Sequence, residues 1–199
     1  MPHRPLHLAS LVLAGLVAFH PLSALACEAP AAAEISAADQ ARMAIFPTSR
    51  SQGLAEALMA TSNSDRSIVS GLFDRPDGAA NAISDGDYRC RTIKLGGNLP
   101  LIVYDFFQCR ISEDGTKIDK ISGSQRFSGT LAATGSALFY RGALHYGNEG
   151  SIVYGADRER DQVGCLYQIE DGIPGHYRLE LPRPQFESTH DVIELVARD

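Results

Sequence analysis

FESTHD, residues 186–191, brings Ser188, His190 and Asp191 close together, the residue types a hydrolase uses as nucleophile, base and orienting acid. Neighbours in sequence seldom converge in space as a triad must, and no GxSxG elbow occurs anywhere in the chain. A turn entering the last strand is the better reading of STHD, with Thr189 and Asp191 bonding to nearby backbone. His145 and His176 add no HxH, HxxxH or HExxH spacing to His190, so no metal site is expected. KLGGN and YRGALHYGNEG lack the GxxxxGK[ST] pattern of a phosphate loop. The acidic pairs Asp85/Asp87 and Glu113/Asp114 read as solvated turn residues. No enzyme and no cofactor are expected; a hydrolase using Ser188 or a histidine is the least favoured alternative.

One constellation stands apart. Arg89 and Arg91 in YRCR, with Arg110 in QCRI, fall on one face of two strand-like stretches and make a basic patch on an acidic protein. Such a patch suits a carboxylate, a phosphate or an acidic partner. The plainer account has nearby Asp and Glu neutralising it.

The cysteines bear on the same two stretches. A hairpin of residues 86–95 and 101–111 with Leu95 facing Tyr104 sets Cys90 directly opposite Cys109, close enough to bridge. The same register sets Arg89 opposite Arg110, an unfavourable pair unless both are solvated or an anion lies between them. Cys27 and Cys165 are left either to bridge the N-terminus to the strand GCLYQI or, for Cys165, to serve as a small buried hydrophobe with a free thiol. No CxxC occurs, so neither a redox motif nor a zinc knuckle is indicated.

These residues need a frame. From residue 85 onward, alternating stretches near 86–95, 101–111, 116–121, 124–132, 137–146, 162–170, 175–181 and 191–197 are separated by turn signals such as Gly97-Asn98, Asp114-Gly115 and Asp171-Gly172. Strands in series without intervening helices predict a mainly β fold, an antiparallel eight-stranded small β-barrel, lipocalin-like in outline, with a small N-terminal α-helical segment. Helical patterns head at Ser36, ending before Pro47, and recur over 51–60 and 64–73. Residues 147–161 read as a mobile surface loop.

Ahead of these, residues 1–26 read as a secretory signal, with Arg4, an apolar run over 8–19 and Ala24-Leu25-Ala26 as the cleavage site. The run is too short to span a bilayer. The expected order is signal 1–26, a mobile linker 27–35, a helical lead 36–84 and the barrel 85–199. Cleavage at Ala26 makes Cys27 the first mature residue and raises a lipid anchor; Ala24 stands where that motif wants a branched apolar residue, which favours periplasmic or secreted soluble export. The mature chain carries 17 Lys and Arg against 24 Asp and Glu, a formal charge of −7, a poor balance for binding nucleic acid.

GDYRCRTIKLGG, LPLIVYDFFQCRI, SGSQRFSGTL, DQVGCLYQI and HYRLELPRPQFESTHDVIEL together resemble the domain of unknown function 4893 family of exported bacterial proteins, over most of residues 36–199. The resemblance implies a disulfide between Cys90 and Cys109, includes neither Cys27 nor Cys165 in its pattern, and transfers no catalytic residue. A looser similarity to lipocalins rests on Gly86-Asp87-Tyr88 opening the first strand where lipocalins carry Gly-x-Trp; this chain has no Trp. The leading expectation is a non-catalytic envelope module binding a small apolar ligand or simply presenting a surface, with Val103, Phe107, Phe127, Phe139 and Tyr167 as candidate lumen residues. The alternative is a protease-inhibitor-like or other protein-interaction module that inserts segment 28–35 or loop 147–161 into an envelope partner.

Overall fold

The computed structural model describes Met1 and residues 27–198. The expected export signal and its cleavage site lie outside the described residues, Met1 excepted. Three helices come first: α1 (Ala37–Ala44), α2 (Phe46–Ala57) and α3 (Asn63–Phe73). Ser36 caps α1 by accepting the Asp39 N–H at 3.1 Å, and Ser62 caps α3 by accepting the Asp65 N–H at 3.3 Å. α1 ends at Ala44, before Pro47 as the sequence suggests, yet Pro47 itself is helical. It occupies the first turn of α2, where a missing N–H has no intrahelical acceptor to lose, so α2 starts at Phe46.

Then come β1 (Asp77–Gly78), β2 (Gly86–Leu95), β3 (Leu101–Val103), β4 (Phe107–Ser112), β5 (Lys117–Lys120), β6 (Gln125–Thr134), β7 (Ala137–Tyr146), β8 (Asp161–Ile169), β9 (His176–Pro182) and β10 (His190–Ala197). Every pairing is antiparallel. β2 joins β10 from Tyr88↔Ala197 to Leu95↔His190, and β8 joins both β7 and β9, so β2 and β4–β10 close into an eight-stranded barrel. Closure pairs each of these eight strands on both sides, while β1 and β3 each pair with one strand only.

The lumen is packed with side chains. Tyr88, Cys90, Cys109, Ile111, Ile118, Phe127, Leu131, Leu138, Tyr140, Leu166, Tyr177, Leu179, Leu181, Ile193 and Leu195 form one buried cluster, and Ala80 and Ile83 from the segment before β2 join it. Tyr140, fully buried, fits because the wall beside it is made of glycine. A Cβ on Gly129 would lie 2.4 Å from the Tyr140 ring, and one on Gly142 would lie 2.3 Å from its hydroxyl oxygen. Of the candidate lumen residues, Phe127 and Phe107 belong to this cluster or pack against it. Phe139 and Tyr167 instead face outward with Cys27 and Phe46, and Val103 faces outward toward α3. They read as interior because strand alternation alone does not say which face the helices cover.

The β2–β4 register differs from the expected one. The loop after β2 closes tightly, with Gly96 N–H donating to the Pro100 carbonyl at 2.9 Å, so Leu95 faces Leu101 rather than Tyr104. Further along, Arg91 and Thr92 oppose three residues, Tyr104–Phe106, and this bulge moves the pairing by one. Cys90 therefore faces Phe107, and Cys109 faces Tyr88. On the β4 side of the bulge the net slip is two residues, which keeps Cys90 and Cys109 on a common face; on the β3 side it is three, which turns Val103 outward. The cysteines meet as diagonal neighbours and are bridged, with Cα atoms 5.8 Å apart.

The helices cover one outer side of the barrel: α1 against β8, α2 against β2, β9 and β10, and α3 against β3. Residues 27–35, expected to be a mobile linker, lie along the wall. Cys27 is bridged to Cys165, Thr134 Oγ1 donates to the Glu28 carbonyl at 2.7 Å, and Arg141 Nη1 donates to the Glu34 carbonyl at 2.9 Å. Loop 147–161 is also tied down, since Tyr154 accepts the Ser36 N–H at 2.9 Å and hydrogen-bonds buried Asp39.

Tight packing around Tyr140 has a measurable consequence. Gly142→Ala is expected to lower the unfolding free energy in urea by about 1–3 kcal/mol through overpacking. Gly150→Ala, where no atom lies within 4 Å of the new Cβ, is expected to change it by less than about 0.5 kcal/mol. Equal effects from the two variants would contradict the packed lumen.

Candidate functional site

β9 carries His176, Arg178 and Glu180 on the face turned away from the lumen. In an exposed barrel they would meet water. Here α2, α3 and β1 lie over that face, and all three side chains are buried. Glu180 receives Arg50 Nε and Nη2 at 2.7 Å each, Arg178 Nε at 2.7 Å, and His190 Nε2 at 3.0 Å. Arg178 also donates to the Leu72 carbonyl and to Asp77, with its guanidinium 4.1 Å from the centre of the Phe73 ring. Burial alone would push the Glu180 carboxyl up; the His190 hydrogen bond and the Arg178 and Arg50 charges overcome it and hold the value at about 2.

His190 continues the line. Its Nδ1 lies 3.0 Å from Ser49 Oγ, so Ser49, His190 and Glu180 stand in the order nucleophile, base, acid. Three features separate this from a working triad. Ser49, His190 and Glu180 each expose 0 % of their surface. The Ser49 hydroxyl is engaged by backbone, donating to the Thr189 carbonyl at 2.8 Å and accepting the Arg183 N–H at 3.1 Å. Glu180 is neutralised by two arginines rather than left to orient an imidazole. Chemically the line is a clamp that fastens α2 to β9 and β10.

The pieces of FESTHD do not converge. His190 points outward to Ser49, and Asp191, one residue on, points into the lumen and accepts the Ser188 hydroxyl at 2.5 Å. Successive strand residues face opposite sides, which is why Ser188, His190 and Asp191 cannot meet. His176 sits between Asp171 at 2.7 Å and Glu194 at 3.1 Å. Burial lowers its basicity, and hydrogen bonds from Glu194 and Asp171 with their charges raise it above the ordinary value. His145 lies alone, 3.3 Å from Ser128 Oγ. Among the described residues no group of three or more His, Cys, Asp or Glu could hold a metal ion.

The slipped register also rearranges the basic patch. Arg110 faces Asp87 instead of Arg89 and pairs with it at 2.9 Å, both more than half exposed. Arg91 pairs with Glu194, and both Arg89 and Arg91 lie over the Phe106 ring, at 4.9 and 4.5 Å from its centre. Arg91 and Arg110 thus have carboxylate partners within the chain, and Arg89 has an aromatic one.

Two of the hollows among the described residues bear on the site. A groove of about 990 Å³ runs between residues 27–35, α1, α2 and the wall, with Phe46, Tyr167, Arg50 and Asp77 among its lining. The other is at the barrel mouth, where Thr92, Lys94, Lys120, Gln162 and Asp191 ring the lumen end away from Ala80 and Ile83. Sequence reading missed Ser49 and Glu180, which are 131 residues apart, and the mouth lysines. A signal existed for Lys120: it follows Ile118 by two in a strand, hence shares its lumen face.

The clamp sets the acid limb of stability. Glu180 is less basic folded than at its ordinary 4.5, so its contribution is present above pH 4.5 and is lost as pH falls toward about 2. Glu180→Leu, which strands buried Arg178 and half-buried Arg50, is expected to cost about 3–5 kcal/mol in urea unfolding at pH 7 and to remove that acid limb. A loss below about 1 kcal/mol would show that the cluster does not hold the helices.

The family described as Domain of unknown function (DUF4893) matches residues 32–195. No curated protein and no solved structure matches the chain.

Proposed function

We propose, for a chain that belongs to the DUF4893 family, a non-catalytic role as a disulfide-braced barrel that binds rather than converts its ligand. One observation carries this reading. The only Ser–His–acid alignment among the described residues is sealed beneath α2 with every member out of reach of solvent. A catalytic serine must touch its substrate, and Ser49 touches backbone on two sides. Closure of the barrel by its own side chains argues against a large apolar cargo in the lumen and directs binding to the hollows at its surface.

Sulfur chemistry supports an exported location. Two disulfides, Cys27–Cys165 and Cys90–Cys109, support an oxidising location such as the periplasm or the extracellular space. A Cys27 sulfur bound to Cys165 has no valence for a lipid thioether, which favours the unlipidated form. No helix among the described residues is long and apolar enough to cross a membrane.

Two measurements test the reading. Hydrolysis of p-nitrophenyl acetate and butyrate by the purified protein is expected to be the same for the wild type and Ser49→Ala; turnover that disappears with Ser49 would defeat the non-catalytic role. The intact mass of protein isolated from its native source is expected to match a chain starting at Cys27 with no acyl group, lighter than its reduced form by the hydrogens of two bridges. An acylated Cys27 would overturn the unlipidated form.

A further inference from the structure

Lys120, at the end of β5, is 6 % exposed and turned to the barrel mouth. A buried ammonium normally sits against a carboxylate. Lys120 has none among the described residues: its Nζ donates to the Gln125 carbonyl at 2.8 Å and lies 4.3 Å from the centre of the Phe107 ring. An ammonium has three donors, so capacity remains. The nearest charges make its position worse. Lys94 and Arg126 line the same hollow; Lys94 pairs with Glu187 at 2.5 Å, and Arg126 is bonded only to the Gly123 carbonyl at 2.9 Å. On the opposite wall, Asp191 is bonded to Ser188.

Beside Lys120 the mouth continues into a hollow of about 180 Å³ lined by Thr92, Tyr104, Phe107, Ser124 and Gln125. Two aromatic rings form its apolar side, and hydroxyl and amide groups its polar side. We propose that the barrel mouth binds a small organic acid with a flat apolar body, its carboxylate seated on Lys120 Nζ with Thr92 and Gln125 as neutral donors and its body against Phe107 and Tyr104. This rests on the reading of the chain as a binding module and names its ligand class. The hollow is too small for a folded partner, and an anion there supplies Lys120 with the carboxylate it lacks among the described residues.

Titration supports the assignment. Burial, then the Arg126 and Lys94 charges, lower the Lys120 ammonium to about 8. Burial pushes the Asp191 carboxyl up to about 6 against the Ser188 hydrogen bond and the Lys94 and His190 charges, with Glu187 adding to the rise. Lys94 and Glu187 share an ion pair across the rim, and Arg126 and Tyr104 complete the charged and titratable groups that line the two hollows. The mouth is most cationic when Asp191 is protonated and loses a positive charge as pH rises through the Lys120 value.

Benzoate titrated into the full mature chain, followed by calorimetry and by backbone amide shifts, is the test. Benzoate is expected to bind and shift the amides of Thr92, Lys120 and Gln125, whereas benzyl alcohol binds at least tenfold more weakly. Lys120→Met is expected to lose at least tenfold in benzoate affinity with the melting temperature retained. Lys120→Arg is expected to keep binding and to abolish the fall in affinity above about pH 8. No binding of benzoate or phenyl phosphate to the wild type at millimolar concentration, equal binding of benzyl alcohol, or undiminished binding by Lys120→Met would each overturn the mouth site. Those outcomes leave the non-catalytic role standing, because it fails separately, on Ser49-dependent ester turnover.

Discussion

A carboxylate removed completely from water needs cations and donors fixed around it, and Glu180 is the point where this chain meets that demand. Its oxygens are reached by Arg178 from its own strand, Arg50 from α2 and His190 from β10. Asp77 of β1 then takes the outer guanidinium groups. The contacts of Arg50 and Asp77 are not available to a bare barrel. The requirement therefore determines where the helices sit: α2 has to lie across β9 and β10, and with it come the aromatic contacts of Arg50 with Phe46 and Tyr167. The apolar clusters on either side, one around Phe139 and Cys165 and one around Ile93 and Val192, add area to a position the charges make specific.

The lumen obeys the opposite rule at its two ends. Toward Ala80 and Ile83 it is mainly apolar, and Tyr88 donates its hydroxyl proton to the Ser84 carbonyl at 2.9 Å. Toward Lys94, Lys120 and Asp191 it is polar and open. The Cys90–Cys109 bridge crosses the first of these regions, tying the opening strand of the barrel to its neighbour inside the core. A braced apolar end thus backs a charged one, and a rigid wall fixes the spacing of the charged groups at the mouth.

Much of this was legible beforehand, for reasons of periodicity. The alternation from Gly86 to Ala197 is regular because each strand has one side in the lumen, and parity was enough to place Cys90 and Cys109 on a common face even with the pairing slipped by two. What parity cannot show is what covers the other face. HYRLE alternates charged with apolar residues as a solvated strand does, yet its charged side is buried. Whether β9 met water depended on α2, more than a hundred residues earlier, and on which of its residues, Ser49 and Arg50, turned inward. The tight Gly96–Pro100 closure and the bulge opposite Arg91 and Thr92 were likewise invisible, because a loop three residues shorter and one extra residue in a strand leave no periodic signal. Loop 147–161 looked free because its composition is polar; its anchors come from far along the chain, Tyr154 reaching a buried aspartate on α1 and Gln185 donating to the Arg158 carbonyl at 2.9 Å.

The bridge from Cys27 to Cys165 makes a covalent ring of the intervening chain, holding all three helices, the strands through β7 and part of β8, with the Cys90–Cys109 ring nested inside it. Such a ring changes how the molecule carries load and damage. Tension applied between residue 27 and the last strand passes through sulfur straight to β8, bypassing most of the barrel, so only the remainder of β8 with β9 and β10 can be drawn out. A protease that cuts once inside the ring releases no fragment: the severed pieces stay joined, and the clamp over Glu180 stays in register, until a reductant opens the ring.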